Sequence, residues 1–160
     1  MLTMHGRTRL AQYEGEANWE AIGQARKKVA IPVVANGDIR TPEDLARCAE
    51  QSGCSRFMIG RGALMRPELF RLLTGQQKEE WTPSGRIRWL CGYGDLCIEK
   101  GLPETSAVGR VKAILRYMAQ ASEPIARVFR TQRACPTWDA LREGMMRSVG
   151  VESEETADRG

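Results

Sequence analysis

The chain has 160 residues, of which 42% are hydrophobic and 28% are charged, a composition typical of one or two globular domains. It is too short for a closed eight-stranded (β/α) barrel, which needs about 250 residues, and it contains no apolar run near the roughly 20 residues of a membrane span. No secretory signal is visible at Met1, so a cytoplasmic location is expected. Five cysteines without a Cys-x-x-Cys pair, and one histidine, argue against a disulfide framework and a metal site.

Short apolar runs and turn residues organise the first half of the chain. Three runs predict buried strands, at residues 1–5, 31–35 and 56–59. Asn18 and Thr41 are typical helix N-caps, and Gly53 is a typical helix end. The resulting βαβαβ order predicts a right-handed parallel sheet. Three strands cannot close a barrel, so residues 1–75 are predicted to be the last three βα units of a TIM (β/α)8 barrel.

The second half has a different pattern. Residues 75–84 are polar, with glycine and proline, and are interpreted as a linker. Residues 85–148 contain four amphipathic segments and are predicted to form an all-α helical bundle. Residues 149–160 are mostly acidic and polar and are predicted to be a disordered tail.

The predicted strand ends carry residues suited to holding an anion. Asn36-Gly37-Asp38 follows the second strand, and Gly60-Arg61-Gly62 follows the third. Glycines let backbone N–H groups approach an anion, and the guanidinium of Arg61 suits a phosphate. Each turn alone is equally typical of a tight connection, but two at successive strand ends favour a phosphate-bearing ligand. His5 ends the first strand and is expected to face the same mouth.

Positive charge is concentrated in the helical block. Residues 81–150 carry 11 basic and 6 acidic side chains, within a chain of net charge +4. In the second predicted helix of this block, Arg110 and Tyr117 share one flank and Lys112 lies on the other, while the next helix adds Arg133. A solvated cationic surface and a nucleic-acid contact both fit this pattern, and two neighbouring basic helices favour the second.

Three motifs then resemble a known family. Leu-Thr-Met-His-Gly-Arg-Thr, Ile-Pro-Val-Val-Ala-Asn-Gly-Asp-Ile and Gly-Cys-Ser-Arg-Phe-Met-Ile-Gly-Arg-Gly-Ala resemble, in order and spacing, motifs of the tRNA-dihydrouridine synthases. Val-Gly-Arg-Val-Lys at residues 108–112 is most similar to the C subfamily, which acts on uridine 16 of the tRNA D-loop. These enzymes join an FMN-binding barrel to a C-terminal helical domain that holds tRNA.

The resemblance implies specific roles in a monomeric, metal-free flavoenzyme. The residues implied to contact FMN are His5, Asn36, Gly37, Asp38, Gly60 and Arg61. The residues implied to face tRNA are Arg7, Arg110, Lys112, Tyr117 and Arg133. In the family, NADPH reduces FMN, and the reduced flavin then gives a hydride to C6 of uracil while a cysteine protonates C5.

The resemblance also leaves parts of the enzyme unmatched. The family's catalytic cysteine and a flavin-contacting lysine lie in the front half of the barrel, and none of the five cysteines here matches that position. The resemblance therefore implies a C-terminal fragment, inactive and poorly soluble by itself, in which no catalytic residue can be named. Two alternatives stay open: a non-catalytic RNA-binding helical module, and another phosphate-binding barrel enzyme.

Overall fold

A computed structural model describes residues 1–7 and 16–157, with side chains described as far as residue 148. The chain divides into two compact units, Met1–Glu79 and Glu80–Gly160. The division falls inside the segment predicted to be a linker.

The first unit is an α/β structure built on a three-stranded parallel sheet of order β1-β2-β3. Its elements are β1 (Leu2–His5), α1 (Trp19–Arg26), β2 (Val33–Asn36), α2 (Pro42–Ser52), β3 (Phe57–Met58), α3 (Arg61–Met65) and α4 (Leu69–Leu73). The predicted parallel sheet is confirmed, with strands shorter than predicted. β2 begins at Val33 rather than Ile31 because Pro32 has no N–H to donate, although its carbonyl accepts a 2.9 Å bond from the N–H of Leu2.

The predicted helix boundaries in this unit are confirmed by their hydrogen bonds. The side chain of Asn18 accepts from the N–H of Ala21 at 2.8 Å at the start of α1. Thr41 and Asp44 form a reciprocal capping box at the start of α2. α2 ends at Gly53, whose φ of +61° is the left-handed conformation that stops helices.

The core of the first unit lies between the sheet and helices α1 and α2. Ile22, Ala35 and Cys48 are fully buried there, with Cys54 close to fully buried. Burial raises the pKa of the Cys48 thiol to about 11, so it is a neutral, apolar side chain at physiological pH.

The second unit contains four helices, as predicted: α5 (Pro83–Glu99), α6 (Glu104–Ala119), α7 (Glu123–Gln132) and α8 (Trp138–Ala157). Their predicted apolar stripes form one buried cluster, centred on residues such as Leu90, Leu115, Ile125 and Leu141. None of the helices in the described ranges is long and apolar enough to cross a membrane.

The buried residues of α5 end at Gly94, and Ile98 in the last turn is exposed. One feature of the second unit differs from expectation. The tail predicted to be disordered at residues 149–160 is helical as far as Ala157. No proline or glycine interrupts residues 151–157, and their glutamates are good helix formers; residues 158–160 lie outside the described residues.

Candidate functional site

The carboxyl ends of the three strands lie side by side at one edge of the sheet. The strand register aligns His5 with Asn36, and Asn36 with Met58. The Nδ1 atom of His5 accepts a 3.2 Å bond from the N–H of Arg7, and the amide of Asn36 donates to the sulfur of Met58 at 3.4 Å. The parallel topology thus brings His5 and Asn36 together, as the sequence predicts.

The turn after β2 is held in an unusual conformation. Gly37 and Asp38 both have positive φ, +126° and +53°. A Cβ on Gly37 would lie 2.9 Å from the Cβ of Ala17, so both the backbone angle and the close approach require glycine. The carbonyl of Gly37 accepts a 2.9 Å hydrogen bond from the indole N–H of Trp19. The start of α1 therefore fixes this turn.

Asp38 lies at the centre of a group of arginines. Its Oδ2 atom accepts from Nε of Arg7 at 3.0 Å, from Nη2 of the same residue, and from the N–H of Ala17 at 3.0 Å. Its Oδ1 atom accepts from Nη2 of Arg61 at 3.2 Å and from Nη2 of Arg40 at 3.3 Å. We call Arg7, Asp38, Arg40 and Arg61 the Asp38 cluster.

The Asp38 cluster has a buried side and an accessible side. The side chains of Arg7 and Asp38 are 7% and 10% exposed, whereas those of Arg61 and Arg40 are 33% and 48% exposed. Burial alone would raise the pKa of Asp38. The hydrogen bond and charge of Arg7, followed by the charges of Arg40 and Arg61, outweigh burial and hold that pKa below its usual value. Asp38 is therefore ionised at neutral pH, and the four side chains carry a net charge of about +2.

The turn after β3 is in backbone contact with the turn after β2. A Cβ on Gly62 would lie 2.3 Å from the carbonyl oxygen of Ile39 and 3.3 Å from Cα of Arg40, so only glycine allows this approach. A Cβ on Gly60, by contrast, would meet no described atom within 4 Å. Open space therefore lies beside the backbone that precedes Arg61, where a ligand could approach.

A pocket of about 160 Å³ lies beside the cluster. It is lined by three arginines, three carboxylates and two other residues: Arg7, Arg40, Arg47, Glu16, Asp38, Asp44, Ala17 and Trp19. Equal numbers of opposite charges give its wall no preference for an anion. Among the described residues, no group of three or more His, Cys, Asp or Glu side chains is arranged to hold a metal ion.

The predicted tRNA-facing residues of the second unit form two groups. The ammonium of Lys112 donates to the carbonyl of Cys135 at 2.6 Å, which places Lys112 beside the connection between α7 and α8. Arg133 is exposed at the end of α7, in the same region. Arg110 is exposed and Tyr117 is half-buried, and both lie on the opposite flank of α6, about 140–160° around the helix from Lys112.

Two arginines of the first unit differ from the sequence interpretation. Arg7 is predicted to face tRNA, but its buried side chain bonds Asp38 in this structure. Arg40 is not among the predicted site residues, although it bonds the same carboxylate. A sequence signal for the cluster does exist, because each strand end is followed within four residues by an arginine: Arg7, Arg40 and Arg61.

The sequence of the chain is similar to that of a known protein family. Residues 1–136 match the family model described as Dihydrouridine synthase (Dus). The chain belongs to the dihydrouridine synthase family. The match extends over the whole of the first unit and, in the second, from α5 to the end of α7.

Curated members of the family are 33–43% identical to the chain over the aligned stretches. The tRNA-dihydrouridine(16) synthase of Neisseria meningitidis serogroup A is 33% identical over 147 residues, which cover 88% of this chain and 44% of the relative. The enzyme of the same name from Pseudomonas syringae pv. tomato is 35% identical over 139 residues, covering 82% and 43%. A probable tRNA-dihydrouridine synthase of Rhizobium leguminosarum bv. phaseoli is 43% identical over 75 residues, covering 47% and 24%. The chain therefore spans less than half the length of these relatives.

Proposed function

We propose that this chain is part of a tRNA-dihydrouridine(16) synthase. It supplies the part of the barrel that binds the phosphate of the flavin and the helices that hold the tRNA. The reaction is the FMN-dependent reduction of uridine to 5,6-dihydrouridine in the tRNA D-loop, with NADPH as reductant. The first unit then represents the last three βα units of a TIM barrel. The observation that carries the proposal is the Asp38 cluster, of net charge about +2, beside the open space at Gly60.

The residues at the sheet edge fit a phosphate-bearing flavin. A phosphate monoester carries nearly two negative charges at neutral pH, which the cluster complements. Gly60 and Arg61 would hold the phosphate, and His5, Asn36 and Gly37 would line the adjoining strand ends. Bound FMN supplies the redox chemistry, and this part of the protein supplies its binding and orientation. Asp38, an ionised carboxylate, would repel a phosphate, so its role is to orient the arginines rather than to contact the ligand.

The helical unit would hold the RNA. Lys112 and Arg133 offer cations on one side of α6, and Arg110 and Tyr117 offer a cation and an aromatic ring on the other. Such side chains contact RNA phosphates and stack on unpaired bases. A tRNA substrate is consistent with the predicted cytoplasmic location. An RNA-binding module without a flavin would leave the Asp38 cluster unexplained.

The proposal is tested by measuring dihydrouridine in tRNA from the host organism. Disruption of the reading frame is expected to abolish dihydrouridine at position 16, detected by mass spectrometry of nuclease fragments, and to leave it at other D-loop positions. Reintroducing the intact gene should restore the modification. Unchanged dihydrouridine at position 16 after disruption would contradict the proposal.

A further inference from the structure

We infer that Arg40 acts together with Arg61 in binding the phosphate of the flavin, and that Arg7 and Asp38 are positioning residues for this pair. The inference rests on the proposed function and adds roles for two further residues, Arg40 and Arg7. It follows from the observation that the two carboxylate oxygens of Asp38 accept hydrogen bonds from different residues.

The inner oxygen of Asp38 anchors the carboxylate. Oδ2 accepts bonds from Arg7 and from the backbone N–H of Ala17, both at 3.0 Å. Arg7 follows β1, so these contacts fix the turn after β2 against the preceding strand end. Since the side chains of Arg7 and Asp38 are both buried, solvent or a large ligand has little access to them.

The outer oxygen faces two accessible cations. Oδ1 accepts from Nη2 of Arg61 at 3.2 Å and from Nη2 of Arg40 at 3.3 Å. A guanidinium has five N–H donors, and the contact of Arg40 with Oδ1 uses one of them. The carboxylate between the two cations offsets their mutual repulsion and holds both within reach of one ligand group.

The backbone keeps Arg40 and Arg61 close together. Gly62, which follows Arg61, leaves no room for a Cβ against the carbonyl of Ile39 and Cα of Arg40. The backbones of the two turns are therefore in direct contact. A pair of guanidinium groups fixed in this way suits a phosphate monoester, which offers three oxygens and almost two charges, better than the single charge of an RNA phosphodiester.

The test compares the binding of FMN with that of riboflavin, which lacks the phosphate. The full-length product of the gene is added to each flavin, and the change in flavin fluorescence gives the Kd. Arg40→Met should raise the Kd for FMN about tenfold, as expected for a lost charged hydrogen bond, and leave the Kd for riboflavin unchanged. Arg7→Met should have the same selective effect, and Arg7→Lys should recover part of the FMN affinity.

Arg56→Met is the matched control. Arg56 is an exposed arginine of the first unit that directly precedes β3, at the opposite end of that strand from Arg61. This variant should bind both flavins as the wild type does.

Each other outcome overturns a defined claim. Equal FMN affinity in Arg40→Met and the wild type, or an equal loss for both flavins, would overturn the role of Arg40 in phosphate binding. Loss of tRNA affinity in Arg40→Met with unchanged FMN binding would assign this arginine to RNA instead. Failure of the wild-type protein to bind FMN would overturn the flavin part of the proposed function as well.

Discussion

Asp38 combines a left-handed backbone with a buried, ionised side chain. A positive φ is uncommon outside glycine, and asparagine and aspartate tolerate it best. The residue at this position must therefore both fit the turn and accept hydrogen bonds from Arg7, Arg40 and Arg61. Asparagine fits the left-handed turn but lacks the negative charge. Asp38→Asn therefore tests the contribution of the charge separately from that of the backbone conformation.

We expect Asp38→Asn to destabilise the chain at pH 7 by roughly 3 kcal/mol, because the buried Arg7 loses its counter-charge. The pKa of Asp38 in the folded state lies below its usual value of 3.8. The stabilisation is therefore present above pH 4 and is lost as the pH falls through the lowered pKa. Urea unfolding of wild type and variant between pH 7 and pH 3 should show the difference shrinking with acid.

A matched change at the surface is Glu99→Gln, which removes an exposed carboxylate that pairs with Lys100. Its stability is expected to follow that of the wild type at every pH, since exposed pairs contribute little. A constant difference between Asp38→Asn and wild type across this pH range would contradict the electrostatic explanation.

At the scale of the elements, α5 and α8 are in contact through a glycine and a tryptophan. A Cβ on Gly94 would lie 2.1 Å from the ring of Trp138. The indole N–H of Trp138 donates to Asp95 at 3.0 Å, and Arg142 donates to the same carboxylate at 3.1 Å. The indole N–H thus holds the ring in place, and the ring cannot withdraw from an added methyl group without straining or breaking this hydrogen bond.

Gly94→Ala should therefore lower the stability of the helical unit, by about 1–3 kcal/mol as for other overpacked cores. Gly92→Ala is the matched variant, because a Cβ there would meet no described atom within 4 Å in the same helix. It should stabilise by about 0.5–1 kcal/mol, the intrinsic helix preference for alanine. Thermal unfolding followed by circular dichroism measures both, and equal shifts in Tm would contradict the packing argument.

Local signals explain which elements could be predicted from the sequence. The caps at Asn18 and Thr41 and the apolar spacing around Leu115 depend on neighbouring residues, and these predictions are confirmed. The Asp38 cluster joins residues 31 and 23 positions apart, so no local pattern shows that Arg7 faces Asp38 rather than solvent. Arg40 follows Asp38 by only two positions, but no local pattern shows that its side chain turns back onto the carboxylate that Arg7 and Arg61 also contact.

At the scale of the whole molecule, positive charge is concentrated in one segment of the chain. Residues 81–150 carry 11 basic and 6 acidic side chains, against 12 and 10 in residues 1–80 and one and four in residues 151–160. The excess of cations in residues 81–150 favours a polyanion, whose binding releases counterions and weakens with salt. In the first unit, by contrast, three arginines contact the single carboxylate of Asp38.

Arg133→Met should weaken tRNA binding and reduce the slope of log affinity against log salt by about one, as expected for one lost phosphate contact. Arg130→Met is the control on the same helix, because Arg130 pairs with Glu123 at 2.8 Å and its charge is already compensated. Filter binding at several salt concentrations measures the slopes. Identical slopes for wild type and Arg133→Met would remove Arg133 from the RNA surface.

The position of His5 makes the protein convenient to study by NMR. The chain has one histidine, so its imidazole protons give a single set of resonances in the aromatic region. The Cε1 atom lies 3.5 Å from the place that a Cβ on Gly37 would occupy, at the sheet edge beside the fixed turn. The proton resonances of His5 therefore report on that edge. Their chemical shifts can be followed during a ligand titration without isotope labelling or mutation.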